Sequence, residues 1–380
     1  MRSFTAISGN LVGAPALVGN VLVWKPSPMA TYSSWLVLQI LLDAGLPKNV
    51  IQFLPTPNGD ATISLVDRVL EHRMFAGLHF TGSTHVFRHL WKKIGNNIDR
   101  YLSYPRVVGE TGGKNFQLVH PSADVRAAVI GAIRGAFEYQ GQKCSALSRL
   151  YVPQTMWDGE FKETLLAEVK KITQGSVAEF EHFMGPVMCV PSLVIMRCRE
   201  QRADPPRWLC PTHSSQASYD KCLSYVEKAK QAGGEVLAGG SGDDSKGFFV
   251  QPTVILTKDP LSPTMVDEIF GPVLTVYVYE DNKFEETCSL IDTTTTYALT
   301  GCIFSNDRAA TVKAGALLRY SAGNYYINVR RAKRAPSPCT QGLTLFLCPS
   351  PGQVDRCRRR TACVAALLLV CLTSRAPTWD

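Results

Sequence analysis

The chain alternates short apolar runs with amphipathic helical segments, and this alternation constrains its fold more than any other feature. From residue 19 to residue 52, the run NVLVWKP predicts a strand, MATYSSWLVLQILLDAGLP predicts a helix, and NVIQFLP predicts a second buried strand. Another unit follows, with a helix over residues 65–70, the strand MFAGLHF, and TGST opening the helix HVFRHLWKKIGNNI. Such alternation is typical of parallel sheets covered by helices on both faces, so the sequence predicts an α/β fold.

Similar segments continue after residue 114, and they predict a second α/β lobe. A helix over residues 123–139 is followed by the strand RLYVP and the helix WDGEFKETLLAEVKKI. Further along come the helix YDKCLSYVEKAKQAG, the strands FFVQPTVIL, GPVLTVYVYE and NYYINV, and a threonine-rich helix start near Asp292. We therefore predict two lobes with parallel sheets, one over residues 1–113 and one over residues 114–328.

Two segments break this pattern, and we expect both to be poorly ordered. Residues 188–216 and residues 329–380 show neither a helical nor a strand period, and the second segment is rich in Arg, Ser, Pro and Cys. Loops of this length without secondary structure are uncommon inside a compact domain. We interpret both segments as translated intron, because Val329-Arg330 can be encoded as GTG AGG, a usual exon-end donor sequence, and PTHSSQ as a pyrimidine run ending in CAG.

The formal charge of +8 is concentrated near the C-terminus. Residues 329–380 hold nine of the 40 basic residues and two of the 32 acidic residues, which leaves 31 basic against 30 acidic residues elsewhere. The body therefore offers no basic face, and we expect no nucleic-acid partner; binding through the tail motifs RRAKR and RCRRR is a separate hypothesis. We also expect no membrane partner, because the apolar run ACVAALLLVCL is about half as long as a membrane-spanning helix.

The distribution of the twelve cysteines argues against a metal site. Five lie in residues 329–380 and three in residues 188–216, and neither set contains a Cys-x-x-Cys pair or enough histidine for zinc. We therefore predict no bound metal. The few remaining cysteines are typical of a protein from a reducing compartment.

Three short motifs contain residues that can do chemistry. In EYQGQKCSAL, Cys144 lies at the end of a predicted helix and beside Lys143, a cation that lowers the pKa of a thiol, although a lone cysteine is more often a buried apolar residue. In GETGGK, Glu110 is either a base beside a ligand or an exposed turn residue. In FTGST, Gly82 and Ser83 form a strand-to-helix turn whose amides suit a phosphate. The residues alone leave these alternatives open.

The motifs WKPS, FTGS, GETGGK, GQKCSA, EIFGPV and AGNYYIN occur in one order, and together they resemble the aldehyde dehydrogenase superfamily. The resemblance covers most of residues 4–184 and 219–328. The longer segments HLWKKIGNNIDRYLSYPRVVGETGGKNF and AFEYQGQKCSALSRLYVP are similar to the mitochondrial members that oxidise L-glutamate γ-semialdehyde to L-glutamate in proline catabolism. The resemblance to this family implies two Rossmann-like lobes, which are incomplete here. They are a partial NAD-binding domain over residues 1–113 and a catalytic thiol domain over residues 114–328.

The resemblance also assigns catalytic and substrate roles to individual residues. Cys144 matches the nucleophile that adds to the aldehyde, and Glu110 matches the glutamate that activates water to cleave the resulting thioester. Ser145 matches a residue that helps hold the substrate carboxylate. Phe137 matches a residue on the helix that lines the aldehyde tunnel.

Cofactor contacts follow from the resemblance in the same way, and they imply NAD. Lys25 and Glu268 match residues that hold the adenine-side and nicotinamide-side riboses, and Phe270 belongs to the same cofactor-binding motif as Glu268. Gly82 and Ser83 match the turn beside the pyrophosphate. The Lys25 contact alone does not separate NAD from NADP.

Some positions depart from the family pattern. Ser3 stands where the family has the asparagine that stabilises the oxyanion. We expect a chain that is truncated at both ends and has no presequence. We also expect it to lack the usual oligomerisation segments of this homo-oligomeric family and the loop that holds the substrate carboxylate. The resemblance implies a small-molecule substrate and the mitochondrial matrix. The alternative function is a catalytically impaired isoform or fragment with no dehydrogenase activity.

Overall fold

The computed structural model describes residues 5–27, 30–56, 60–187 and 214–328. The described residues divide into two compact units, the first over residues 5–111 and the second over residues 112–187 and 214–328. The helices are α1 (Thr5–Leu17), α2 (Thr31–Asp43), α3 (Asp60–Leu70), α4 (Thr84–Asn96), α5 (Val125–Phe137), α6 (Lys162–Lys170), α7 (Ser214–Gln231), α8 (Phe284–Thr293) and α9 (Arg308–Leu317). The strands are β1 (Leu22–Trp24), β2 (Ile51–Phe53), β3 (Gly77–Thr81), β4 (Arg106–Glu110), β5 (Asn115–Val119), β6 (Leu147–Pro153), β7 (Glu235–Ala238), β8 (Gly242–Asp243), β9 (Phe249–Val250), β10 (Thr253–Thr257), β11 (Val273–Tyr279), β12 (Thr300–Phe304) and β13 (Asn324–Ile327).

The first unit contains two separate pairs of parallel strands. β1 pairs with β2, and β3 pairs with β4 over the whole of both strands, from Gly77 opposite Arg106 to Thr81 opposite Glu110. Apolar residues of α1 and α2 pack on the first pair, and those of α3 and α4 pack on the second. Each pair therefore has a small apolar cluster of its own.

The second unit is built on one seven-stranded sheet with the order β13-β12-β5-β6-β11-β10-β7. Neighbouring residues of its central strands enter opposite clusters: Leu150 packs with α5 and α6, whereas Tyr151 packs with α8 and α9. Helices cover both faces, as in other parallel sheets that are buried on both sides. The predicted α/β fold is confirmed, with one difference: β7 is antiparallel to β10 at the edge of the sheet.

The structure also differs from the sequence predictions in several elements. The threonine-rich stretch near Asp292 ends α8 instead of starting a helix, because the hydroxyls of Thr293 and Thr294 bond carbonyls of the preceding turn. α7 begins at Ser214, inside the predicted irregular segment over residues 188–216. The rest of that segment before residue 214, and residues 329–380, lie outside the described residues.

Candidate active site

Cys144 lies in a tight turn between α5 and β6. Three consecutive residues after α5 have left-handed backbone angles, Tyr139 (φ 55°), Gln140 (φ 57°) and Gly141 (φ 62°), and they end the helix. A Cβ at Gly141 would lie 2.5 Å from the carbonyl oxygen of Gly271, so this position excludes larger residues. The Ala146 N–H then donates to the Lys143 carbonyl at 3.0 Å, which makes Cys144 and Ser145 the two central residues of a β-turn.

The amide of Asn115 supports this turn from the first residue of β5. Its Nδ2 donates to the carbonyl oxygens of Cys144 at 2.8 Å and of Ala146 at 2.7 Å. Its Oδ1 accepts from the Thr300 N–H at 2.9 Å. Gly113 packs directly on the Cys144 carbonyl, where any Cβ would overlap the oxygen. The nucleophile predicted from sequence thus has a backbone that is fixed on two sides.

The surroundings of the Cys144 thiol differ from those predicted from the sequence. Cys144 is 6% exposed and follows the end of α5 by seven residues, so it does not lie at a helix terminus. The Lys143 ammonium pairs with the Glu138 carboxylate at 2.7 Å, which offsets its charge. We therefore attribute no activation of the thiol to Lys143, and the ordering of the turn is what distinguishes Cys144 from the other described cysteines. The described cysteines are all reduced, and they are Cys144, Cys222, Cys288 and Cys302.

Glu268 lies in a loop before β11 that bonds to the GETGGK motif. Its Oε1 accepts from the Gly113 N–H at 3.0 Å, and a Cβ at Gly112 would overlap the same carboxylate. Burial raises the pKa of Glu268, and the Gly113 amide opposes that rise. Phe270, two residues on, adopts φ 62°, a strained angle for an aromatic residue. The loop is therefore held in one conformation.

α7 holds the same loop from outside. The Lys221 Nζ donates to the carbonyl oxygen of Glu268 at 2.7 Å, and the Tyr225 hydroxyl donates to the Asp267 carboxylate at 3.0 Å. A Cβ at Gly271 would overlap the Cys222 sulfur. No local sequence pattern marks Lys221, Tyr225 or Asn115, because their partners are distant along the chain.

Lys114 contributes a buried nitrogen beside these groups. Its side chain is 1% exposed, and its Nζ has no hydrogen-bond partner among the described residues. Burial, helped by the charge of Arg149, lowers its pKa to about 7, although the charge of Glu268 opposes the change. The Arg149 Nε in turn donates to the Lys114 carbonyl at 2.9 Å.

In the first unit, Glu110, Gly82 and Ser83 lie at one end of the β3–β4 pair. Glu110 is the last residue of β4 instead of a loop residue, and its carbonyl accepts from the Gly82 N–H at 3.1 Å. Burial raises the pKa of its carboxyl. Ser83 caps α4 by accepting from the Val86 N–H. These residues therefore lie at the carboxyl ends of parallel strands, where α/β sheets bind ligands.

Lys25 directly follows β1 in the same unit. Its Nζ donates to the Pro26 carbonyl at 2.7 Å, and burial lowers its pKa to about 8.

Three further predictions concern Phe137, Ser145 and Ser3. Phe137 is fully buried in the core of the second unit and Ser145 is 6% exposed, so their substrate roles stay predictions. Ser3 lies outside the described residues.

One group in the described ranges has the spacing of metal ligands: Glu179, Glu181 and His182 place ligand atoms within 4.8 Å of one another. Both carboxylates are exposed, as such groups often are without an ion, and the absence of a metal stays a prediction. Of the helices that the structure describes, none combines the length and the apolar character that crossing a bilayer requires.

Comparison with known proteins places this fold and these motifs in a family. A sequence model of the aldehyde dehydrogenase family matches residues 5–193 and 201–342, so the chain belongs to that family. The match extends into residues 188–193, 201–216 and 329–342, which the sequence predictions assigned to non-family segments.

Its relatives include several enzymes with one name. A delta-1-pyrroline-5-carboxylate dehydrogenase from Agaricus bisporus is 53% identical over 326 residues, which are 86% of this chain and 54% of that protein. A mitochondrial enzyme of the same name from Emericella nidulans is 48% identical, with 86% and 53% covered. The crystal structure of the Mycobacterium tuberculosis enzyme bound with NAD has 40% identity and a TM-score of 0.74, with 88% and 56% covered. The chain spans about half the length of the curated relatives it matches.

Proposed function

We propose that this chain carries out the NAD-dependent oxidation of L-glutamate γ-semialdehyde, the open form of 1-pyrroline-5-carboxylate, to L-glutamate in proline catabolism. The observation that carries the proposal is the ordered turn of Cys144, which Gly113 and Asn115 hold from within the second unit. The names of the relatives support the substrate, and NAD in the related crystal structure supports the cofactor. Because some relatives are named mitochondrial, we also propose the mitochondrial matrix as the location.

The proposed reaction uses the thiol because an aldehyde has no leaving group. The Cys144 thiolate adds to the aldehyde carbon, and the new C–S bond creates a tetrahedral thiohemiacetal. Bound NAD supplies the oxidant, since it accepts the hydride that leaves this carbon. The product is a thioester on Cys144, which water cleaves to the glutamate carboxylate while the thiol is restored. In this scheme Ser145 helps to hold the substrate carboxylate, and Phe137 shapes the aldehyde tunnel.

Glu110 is the proposed base for the hydrolysis step. A carboxylate takes a proton from water only when it is ionised, and burial raises the pKa of this carboxyl. The acidic limb of the pH–rate profile therefore lies above the value of an ordinary glutamate, and turnover falls as the pH drops through it. That Glu110 acts on the Cys144 thioester is inferred from the family motif.

Both units contain side chains that fit parts of NAD. In the first unit, Lys25 and the Gly82–Ser83 turn follow the carboxyl ends of β1 and β3, and Ser83 begins α4. In the second, Gly112 leaves room for the Glu268 carboxylate, which the Gly113 amide orients. We propose that Lys25 and Glu268 hold the two riboses, that Gly82 and Ser83 contact the pyrophosphate, and that Phe270 completes the nicotinamide end.

The test is turnover by the purified full chain with NAD and glutamate semialdehyde, followed by NADH absorbance. Cys144→Ser removes the nucleophile and abolishes turnover, whereas Cys288→Ala, which changes another buried thiol, retains most of it. Glu110→Gln slows hydrolysis and removes the acidic limb. Turnover that survives Cys144→Ser refutes the mechanism. A well-folded chain that binds no NAD and shows no turnover supports the alternative of a catalytically impaired form.

A further inference from the structure

Asn115 uses both polar atoms of its side chain in hydrogen bonds to the backbone, and its Nδ2 bonds the turn of Cys144. It is 2% exposed, donates both amide hydrogens to the Cys144 and Ala146 carbonyls, and accepts from the Thr300 N–H. We infer that Asn115 is the residue that positions the nucleophile. The inference rests on the proposed function, because it matters for catalysis only if Cys144 is the nucleophile.

The bonds from Asn115 add to the hydrogen bond that closes this turn. One hydrogen bond closes the turn, from the Ala146 N–H to the Lys143 carbonyl, and the residues before it are left-handed. One rigid carboxamide binds the carbonyls on either side of Ser145, so it fixes the peptide planes that follow Cys144 and Ala146. Fixing those planes fixes the direction in which the Cys144 side chain leaves the backbone.

The position of Asn115 makes it a firm anchor. It starts β5, which lies inside the sheet between β12 and β6, and its third bond ties it to the first residue of β12. The pairing of β5 with β6 shifts between Asn115 and Phe116, and such bulges re-aim side chains next to functional sites. A displacement of about 1 Å at a reacting group lowers catalysis about 100-fold, so losing this anchor affects the chemistry directly.

Gln117 offers a matched control within the same strand. It is 1% exposed, and its Nε2 donates to the Ala128 carbonyl in α5 at 2.9 Å, without contacting the Cys144 turn. Asn115→Asp and Gln117→Glu each replace a buried amide by a carboxyl group of the same shape. Both variants lose hydrogen-bond donors and are expected to be less stable than the parent chain. Only Asn115→Asp releases the carbonyls of the Cys144 turn.

The experiment compares these two variants in the full chain. The measurement is the rate at which iodoacetamide alkylates Cys144 between pH 6 and pH 9, read by mass spectrometry, together with kcat/KM and the thermal transition. We expect Asn115→Asp to change the alkylation rate about tenfold and to lower kcat/KM about 100-fold. We expect Gln117→Glu to stay within about threefold of the parent chain in both.

The outcomes separate the inference from the proposed function. Equal effects of the two variants on alkylation and turnover overturn the role of Asn115. Turnover that survives Cys144→Ser overturns the proposed function instead, while the alkylation rates still report on the turn. Where Asn115→Asp fails to fold, Asn115→Ser replaces it, because serine keeps one shorter donor. We expect the kcat/KM of Asn115→Ser to lie between that of the parent chain and a complete loss. An alkylation rate equal to that of the parent chain would refute the inference.

Discussion

At the scale of single residues, Lys114 is the group whose burial has the clearest energetic consequence. Its pKa of about 7 in the folded chain lies below the ordinary value of 10.5. Between these two pH values the folded chain binds fewer protons than the unfolded chain, so its stability rises with pH across this window. Below pH 7 the folded chain must hold a buried ammonium that has no hydrogen-bond partner among the described residues.

We expect Lys114→Met to be more stable than the parent chain at pH 7, because the apolar side chain fills similar space without a buried charge. The advantage shrinks as the pH rises towards 10, where the parent lysine is neutral. Urea denaturation midpoints at pH 7, 8 and 9 measure this difference. The control is Lys230→Met, which changes a surface lysine paired with Glu227. The prediction is contradicted if the difference in urea midpoint between Lys114→Met and the parent chain stays constant with pH.

The sequence pointed to the candidate site residues more directly than to the residues that hold them. Cys144 and Glu268 lie in motifs that are recognisable over four to six residues. Asn115 bonds Cys144 across 29 positions and Lys221 bonds Glu268 across 47, and neither contact has a local pattern. Long-range hydrogen bonds of this kind follow from the packing of strands and helices, which a single sequence does not specify residue by residue.

At the scale of elements, α7 supports the Glu268 loop through one face. Lys221, Cys222 and Tyr225 are within one turn of each other, and they reach the backbone of Glu268, the Cα of Gly271 and the carboxylate of Asp267. Burial and the bond to Asp267 raise the pKa of Tyr225 to about 12, so its hydroxyl stays a donor at neutral pH. The loop that carries Glu268 and Phe270 thus depends on a helix distant in sequence.

Lys221→Met tests this dependence, because the variant keeps the packing of the side chain and removes its bond to the Glu268 carbonyl. We expect a several-fold rise in the KM for NAD, with little change in the alkylation rate of Cys144, whose turn is held by Asn115 from β5. Titration of NAD by fluorescence gives the binding constant directly. Lys230→Met on the same helix serves as the control, and an equal loss of NAD binding in both variants argues against a specific role for Lys221.

Elements with strong apolar patterning were predictable, and those set by side-chain bonding were not. The strand runs of β1, β2, β6 and β11 appear in the structure close to their predicted places. GETGGK suggested a loop because of its glycines, yet the backbone through Glu110 continues as β4 with full pairing to β3. Near Asp292, the threonines resembled a helix start because hydroxyls cap helix N-termini, but they bond backwards here and end α8.

At the scale of the whole molecule, the two units differ in how their strands are supported. The second unit has seven strands in one sheet, with helices on both faces and three clusters of 20, 10 and nine buried residues. The first unit has two isolated pairs of strands, and a pair of strands is marginally stable unless other elements cover it. Its two clusters each contain five buried residues. The chain is therefore expected to open unit by unit rather than in one transition.

Hydrogen exchange with and without NAD measures this difference. We expect amides of β1 to β4 to exchange faster than those of β5, β6 and β11, because less buried apolar area opposes their opening. If Lys25, Gly82 and Ser83 bind the cofactor, NAD at about 100 times its dissociation constant stabilises the folded first unit against opening by about 2.7 kcal/mol, which slows exchange there about 100-fold. Equal exchange in both units contradicts the predicted order of opening. If NAD does not change the exchange rates of β1 to β4, the cofactor assignment is contradicted, whichever unit opens first.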